Sequence, residues 1–326
     1  MIQQFRSINP INIILLIGIS LLLRVGIFIQ LPERISFDFI EPFTKLLIVR
    51  PLENAFSPLT NIFISLFLLL IQALIFNRII NAYNLFGKLT FLPALMYVTT
   101  SSLLSPFLVL SPTLICNFLI LWMIEKFLSM YKCNEVRSVM FDLGMIVASG
   151  TLIYFPFIAM LPVLWISLII YRPFDWREWF AVVTGFITIF FFLAVFYYWN
   201  DSLDKFYQIW LPLATKFPTN LRINFYDYLV LIPVAIILIL GAFQLQQKFF
   251  RSIVQLRKSF LVLFFIFLTS LISFYLKADL QLYHFLLCAP PASVLMAYYF
   301  LHANKRWLYE SLYAILVGCI IYFQLS

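Results

Sequence analysis

Eleven apolar runs recur along this chain of 326 residues. They lie at about 11–29, 57–77, 89–104, 108–128, 138–153, 155–171, 180–199, 228–246, 260–276, 283–301 and 308–325. Nearly all of the charge falls in the short connections between them. A span of the hydrocarbon core takes roughly 20 apolar residues in a helix. A bilayer offers the backbone no hydrogen bonds, so a run of this length must satisfy its own amide groups as a helix. The pattern therefore predicts an all-α polytopic membrane protein, a bundle of about eleven transmembrane helices forming a single domain, 1–326. Only 11% of the residues are charged and 63% are hydrophobic, whereas soluble domains carry about 25% charged residues. The runs at 138–153 and 155–171 are joined only by Tyr154-Phe155-Pro156. They read equally as two short spans or as one re-entrant hairpin.

The connections also set an orientation. With the N-terminus inside, the inner connections hold fourteen of the 22 Lys and Arg residues and the outer ones seven; Arg24, within the first run, is the remaining one. Cytoplasmic loops carry the excess of Lys and Arg, so the chain is expected in the inner (cytoplasmic) membrane with its N-terminus cytoplasmic and its C-terminus periplasmic. The net charge of +8 is explained by that bias and by contact with membrane lipids, and no nucleic-acid partner is expected. The first run has one preceding Arg and no small-residue cleavage site, so it reads as a retained span. Cys116, Cys133, Cys288 and Cys319 are far apart, with no metal-ligand or CxxC spacing. No disulfide or metal centre is expected from them.

Three outer segments carry the polar chemistry. Leu31 to Pro58 holds Glu33, Asp38, Glu41 and Glu53. Within it, Ile35, Phe39, Phe43, Leu46 and Leu47 recur at helical spacing, while Asp38, Glu41 and Lys45 fall largely on the other side. That is the pattern of an amphipathic juxtamembrane segment, interrupted by Pro42. Two carboxylates three apart share a helix face. They can serve as a general base or bind a divalent metal ion that bridges a phosphate; a solvated acidic face is the plainer reading. Arg24 lies about one turn inside the outer end of the first run. It can snorkel outward, pair with an acid of the loop, or hold a phosphate with its bidentate fork. The 200–227 loop, with Asp201, Asp204, Lys205, Lys216 and Arg222 among aromatics and prolines, reads as a lid or an aromatic anchor. Lys277 and His284 can meet an anionic head group; a structural histidine is the simpler reading of His284.

The order of these features resembles the GT-C superfamily, multi-span glycosyltransferases that use polyprenyl-phosphate-linked sugars. The likeness is carried by Leu22-Leu-Leu-Arg24 followed by Pro32 and Phe37-Asp38-Phe-Ile-Glu41; by Leu110-Ser-Pro-Thr113 through Glu125-Lys126; by Phe141-Asp-Leu-Gly through Tyr171-Arg-Pro-Phe; and by Lys277 through Tyr283-His-Phe-Leu-Leu-Cys-Ala-Pro-Pro-Ala-Ser. The resemblance implies that Asp38 is the catalytic carboxylate of the first outer loop, with Glu41 a supporting acid. It places Lys277 near the phosphate of a polyprenyl-phosphate-linked sugar. Arg24, His284 and Arg222 are further candidates for binding that substrate from their own chemistry and placement. The chain departs from the family pattern in spacing its acids Asp-x-x-Glu, in carrying Thr113 where many members have a second acid, and in having His284 where an aromatic is usual. The Phe-, Ile-, Leu- and Asn-rich style also resembles an uncharacterised group of Bacteroidota inner-membrane proteins.

Two functions are expected from this. The first is a membrane glycosyltransferase acting on an envelope acceptor at the periplasmic face. The alternative is a non-catalytic structural or accessory subunit of a cell-envelope complex, bound to other envelope proteins. A transporter is disfavoured: no span carries paired ionisable residues near its middle, and no inverted repeat is visible.

Overall fold

A computed structural model describes residues 1–31, 57–131, 135–201, 203–208, 210, 229–249, 253–276 and 282–325. Every element among them is helical, and each of the eleven apolar runs contains a helix. Seven helices are long and apolar enough to cross a membrane: Pro58–Ala82, Pro112–Met130, Val136–Ile153, Trp176–Trp199, Val254–Leu276, Leu282–His302 and Arg306–Leu325. Three shorter apolar helices accompany them: Ile11–Leu22, Phe155–Tyr171 and Leu231–Gln247. These are the helices of a multi-pass membrane protein. The run at 89–104 differs, because its helix, Leu92–Thr100, has only nine residues.

Local sequence explains where several helices begin. Ser57-Pro58 and Ser111-Pro112 both place a serine at the N-cap and proline in the first turn. Ser57 accepts from the Thr60 amide and Ser111 from the Leu114 amide, each at 3.3 Å. Asp175 caps Trp176–Trp199 by accepting from the Arg177 amide at 3.0 Å.

In a membrane, helices associate through close packing rather than through loss of water. Val136–Ile153 and Trp176–Trp199 show this most clearly, with Gly144 and Gly185 facing the opposing backbone. A Cβ on Gly185 would collide with the Phe141 carbonyl, and one on Gly144 with the Val182 carbonyl. Trp176–Trp199 is otherwise a peripheral helix, with only 17% of its apolar window buried. Leu282–His302 is the central one, at 78%.

The segment 154–171 runs along Val254–Leu276. At one end the Tyr171 hydroxyl meets Ser259 Oγ at 3.2 Å; at the other, Tyr154 joins His284, which in turn contacts Ser270 and Ser273. Fourteen helical residues separate Ser259 from Ser273, a rise of about 21 Å. The segment therefore traverses the bundle beside a full-length helix, and Val136–Ile153 and Phe155–Tyr171 are two separate legs.

The connections assigned inside by their charge gather at one end. Met1 and Glu310 pair there at 3.0 Å, Lys126 and Asp142 at 2.7 Å, and Arg172 and Glu178 at 3.7 Å. Arg6 donates to Phe300 O at 2.9 and 2.6 Å and to Ala303 O at 2.7 Å, with its guanidinium 4.2 Å from the Tyr309 ring centroid. Those carbonyls belong to the last turn of Ala289–His302 and to the residue that follows it, so Arg6 caps that helix. At the opposite end, Gln30 Nε2 donates to Leu325 O at 3.2 Å. The first and last helices thus run side by side, with residues 30 and 325 together.

Candidate functional site

Four of the six residues expected at a site, Asp38, Glu41, Arg222 and Lys277, lie outside the described residues. Arg24 and His284 lie within them, and their settings differ.

His284 is 1% exposed. It sits on the 3₁₀ turn Leu282–Cys288, where Nδ1 meets the Tyr154 hydroxyl at 2.8 Å. Nε2 lies 2.9 Å from Ser270 O and 3.1 Å from Ser273 Oγ. Ser270 O only accepts, so Nε2 carries a proton. Both ring nitrogens have partners, and the imidazole ties three segments together. These contacts give His284 the structural role that was its simpler reading. Its partner was visible in the sequence only as Tyr154 in the hinge between two runs, with no signal of proximity.

Thr113, which stands where a second acid was sought, joins the same scaffold. Its hydroxyl donates to Tyr283 O at 2.8 Å, and one turn on Asn117 Nδ2 donates to Leu286 O at 3.1 Å. One face of Pro112–Met130 thereby grips the 282–288 turn.

Arg24 joins Ile11–Leu22 to Val25–Ile29 and is 1% exposed. Its Nε and Nη1 have no hydrogen-bond partner. The helix before it packs on Leu92–Thr100 and the helix after it on Arg306–Leu325. The second approach is close: a Cβ on Gly26 would come 2.6 Å from Gln324 Cβ. Gln324 Nε2 in turn donates to Ser102 O at 3.0 Å, while Gln324 Oε1 and Ser102 Oγ are buried without a partner; Ser101, beside them, has the Tyr97 hydroxyl as a side-chain hydrogen-bond partner. Four of the buried, unpartnered side-chain atoms among the described residues thus fall on Arg24, Ser102 and Gln324.

These serines open the break that shortens the 89–104 run. From Ser101 to Ser111 the backbone has only a three-residue 3₁₀ turn, Ser105–Phe107. Non-helical backbone at membrane depth persists only where protein buries it or where it lines a cavity. Here Asn61 Oδ1 accepts from the Leu110 amide at 2.8 Å, and Ser65 Oγ donates to Leu108 O. The apolar side chains of the break, among them Leu104 and Phe107, line a cavity of about 360 Å³. Its other walls include Val234 and Leu238 of Leu231–Phe249, Phe267, and Phe285. That volume is within the range of small-molecule sites. Among the described residues no three His, Cys, Asp or Glu side chains come together as a metal site.

The fold and this region define a multi-pass helical membrane protein with a broken helix, an apolar cavity and a buried cation near the end that holds residues 30 and 325. The chain belongs to a family of unknown function, DUF6427, whose model matches residues 35–326. No curated protein and no solved structure matches it.

Proposed function

We propose that the chain is a GT-C-like glycosyltransferase of the inner membrane, with its eleven helical segments placing the N-terminus in the cytoplasm and the Asp38 loop in the periplasm. It would move a sugar from a polyprenyl-phosphate donor to an envelope acceptor. The observation that carries this reading is Arg24, a cation that keeps its charge, buried without a hydrogen-bond partner on Nε or Nη1. An intramembrane charge of this kind marks a functional site by default. Arg24 stands nine residues before Glu33, the first acid of the Leu31 to Pro58 segment. In the proposed reaction Asp38 is the base toward the acceptor, with Glu41 beside it. Lys277 and Arg222 assist Arg24 at the donor phosphate, and a divalent ion on the carboxylates is one way to neutralise it. The apolar cavity is suited to the donor's isoprenoid chain.

The test is Asp38→Asn expressed at wild-type level in cells lacking the native protein. The reading expects loss of one envelope glycan and accumulation of its lipid-linked donor. Unchanged glycans with normal protein levels would remove Asp38 from catalysis. Single cysteines at Asp38 and Lys305, in a chain freed of its own four cysteines, check the orientation with an impermeant maleimide. Only the first should react in intact spheroplasts.

One observation favours the accessory reading. Thr113 spends its hydroxyl on Tyr283 O, so it serves the scaffold where a second acid was expected. An accessory subunit would copurify with a stoichiometric protein partner and retain function as Asp38→Asn.

A further inference from the structure

We infer that Arg24, Ser102 and Gln324 form a buried site for a phosphate-type oxyanion. The inference rests on the phosphate role given to Arg24 above and adds two residues that neither sequence pattern nor family assigns. It holds equally for an accessory protein that binds the ligand without reacting it.

The argument is one of unmet valences. Buried side-chain polar atoms are nearly always hydrogen-bonded, so each orphan needs an explanation. Here the orphans fall on two chain segments and a helix end that touch: Gly26 against Gln324, and Gln324 on Ser102 O. Their types are complementary to one ligand. Arg24 offers N–H donors from a planar fork suited to phosphate oxygens. The Ser102 hydroxyl donates or accepts, and Gln324 Oε1 accepts from a hydroxyl or a protonated phosphate oxygen. Water would satisfy the hydrogen bonds but not the charge, and an uncompensated buried ion costs several kcal/mol. A phosphate group answers both needs. The site is also placed for an amphiphile. Ser101 and Ser102 lie between Thr100 and Leu103, both of which line the apolar cavity. A head group at Arg24 would leave an attached chain beside that cavity.

The experiment is a thermal-shift titration of the full chain in uncharged detergent, with inorganic phosphate, dodecyl phosphate and dodecanol as probes. Stabilisation by dodecyl phosphate, about 5 °C at saturation, with none from dodecanol, supports the site and assigns it a lipid head group. Stabilisation by inorganic phosphate alone supports it with a free anion. Arg24→Gln should weaken binding at least tenfold, and Ser102→Ala and Gln324→Leu each by about threefold to tenfold, the worth of one hydrogen bond. Arg24→Lys retains the charge without the fork and should bind at an intermediate level, which keeps the test open if Arg24→Gln fails to fold. No response to either phosphate, or an undiminished response in Arg24→Gln, overturns the inference. So does a response that appears only when Glu33, Asp38, Glu41 and Glu53 are all made amides, since a loop carboxylate would then be the partner of Arg24. If the wild-type chain binds phosphate while envelope glycans are unchanged in Asp38→Asn cells, the transferase reading fails and the site stands.

Discussion

Two arginines that flank the helix Ile11–Leu22 show what each end is built for. Arg6, half-buried, makes three hydrogen bonds to carbonyl oxygens and lies over the Tyr309 ring. Arg24, fully buried, has two nitrogens with no partner at all. Burial alone would rank Arg24 as the more structural of the two. Accounting for its hydrogen bonds reverses the ranking. The end with Arg6 also holds the Met1–Glu310, Lys126–Asp142 and Arg172–Glu178 pairs, and Lys258 caps Tyr171 O at 3.0 Å. That end is tied together by its own residues, although Asn77 Oδ1 and Gln244 Oε1 toward it are buried without a partner. The end with Arg24 leaves donors and acceptors open, the state expected of a surface that is completed by a ligand.

The largest effect should come from Arg6→Ala. It removes three charge-assisted hydrogen bonds from a helix end and one cation–π contact, a loss of about 3 kcal/mol after allowing for water at the freed carbonyls. Thermal unfolding of the purified chain in detergent measures it, and added phosphate should not alter the difference. A loss under about 0.5 kcal/mol would mean that the clamp is ornamental and the contrast between the ends is weaker than drawn.

Arg24→Met should act with the opposite sign. Replacing an unpaired buried charge by an apolar side chain of similar length is expected to stabilise the ligand-free protein by about 1–3 kcal/mol. Function should be lost at the same time, the usual exchange where a strained site is relaxed. If Arg24→Met instead destabilises as Arg6→Ala does, Arg24 is paired in the working protein and the two ends are alike.

His284→Phe tests the scaffold between them. It removes the bonds of the ring to the Tyr154 hydroxyl and to Ser270 O, the latter keeping Ser273 Oγ. Hydrogen bonds between membrane helices average only about 0.6 kcal/mol, so a loss of roughly 1–2 kcal/mol is expected. Phosphate binding at Arg24 should persist. Loss of binding without loss of stability would return His284 to the ligand.

How much of this could be read beforehand follows from which forces are periodic. The eleven apolar runs were legible because lipid demands long uninterrupted stretches, and the charged connections that gather at one end were legible as clusters of Lys and Arg between those runs. The break after Thr100 was not. Ser101-Ser-Leu-Leu-Ser-Pro-Phe-Leu-Val-Leu-Ser is apolar enough to pass as helix. What stops it is the proline at 106 together with side chains from 36 or more residues away, Asn61 and Ser65, which take over backbone hydrogen bonds. The Tyr154–His284 pair, 130 residues apart, is equally invisible to spacing. Arg24 was visible as an anomaly, but whether it snorkels, pairs or waits for a ligand depends on packing around Gly26 and Gln324 that no local pattern encodes.

Gln324→Leu gives the smallest effect and the sharpest discrimination. The change deletes the Nε2 bond to Ser102 O, worth about 0.5–1 kcal/mol, and it also deletes the orphaned Oε1, whose burial costs a comparable amount. The two nearly cancel, so the ligand-free protein should shift by less than about 0.5 kcal/mol. At the closed end the matching change, Glu310→Leu, removes the partner of the Met1 ammonium and of the Gln3 amide without removing any orphan, and should cost more. A side chain that costs nothing to lose in isolation, yet whose loss weakens phosphate binding, is held for the ligand. Should Gln324→Leu cost as much as Glu310→Leu, Gln324 is simply an interhelical tie, and the openness of that end reduces to Arg24 alone.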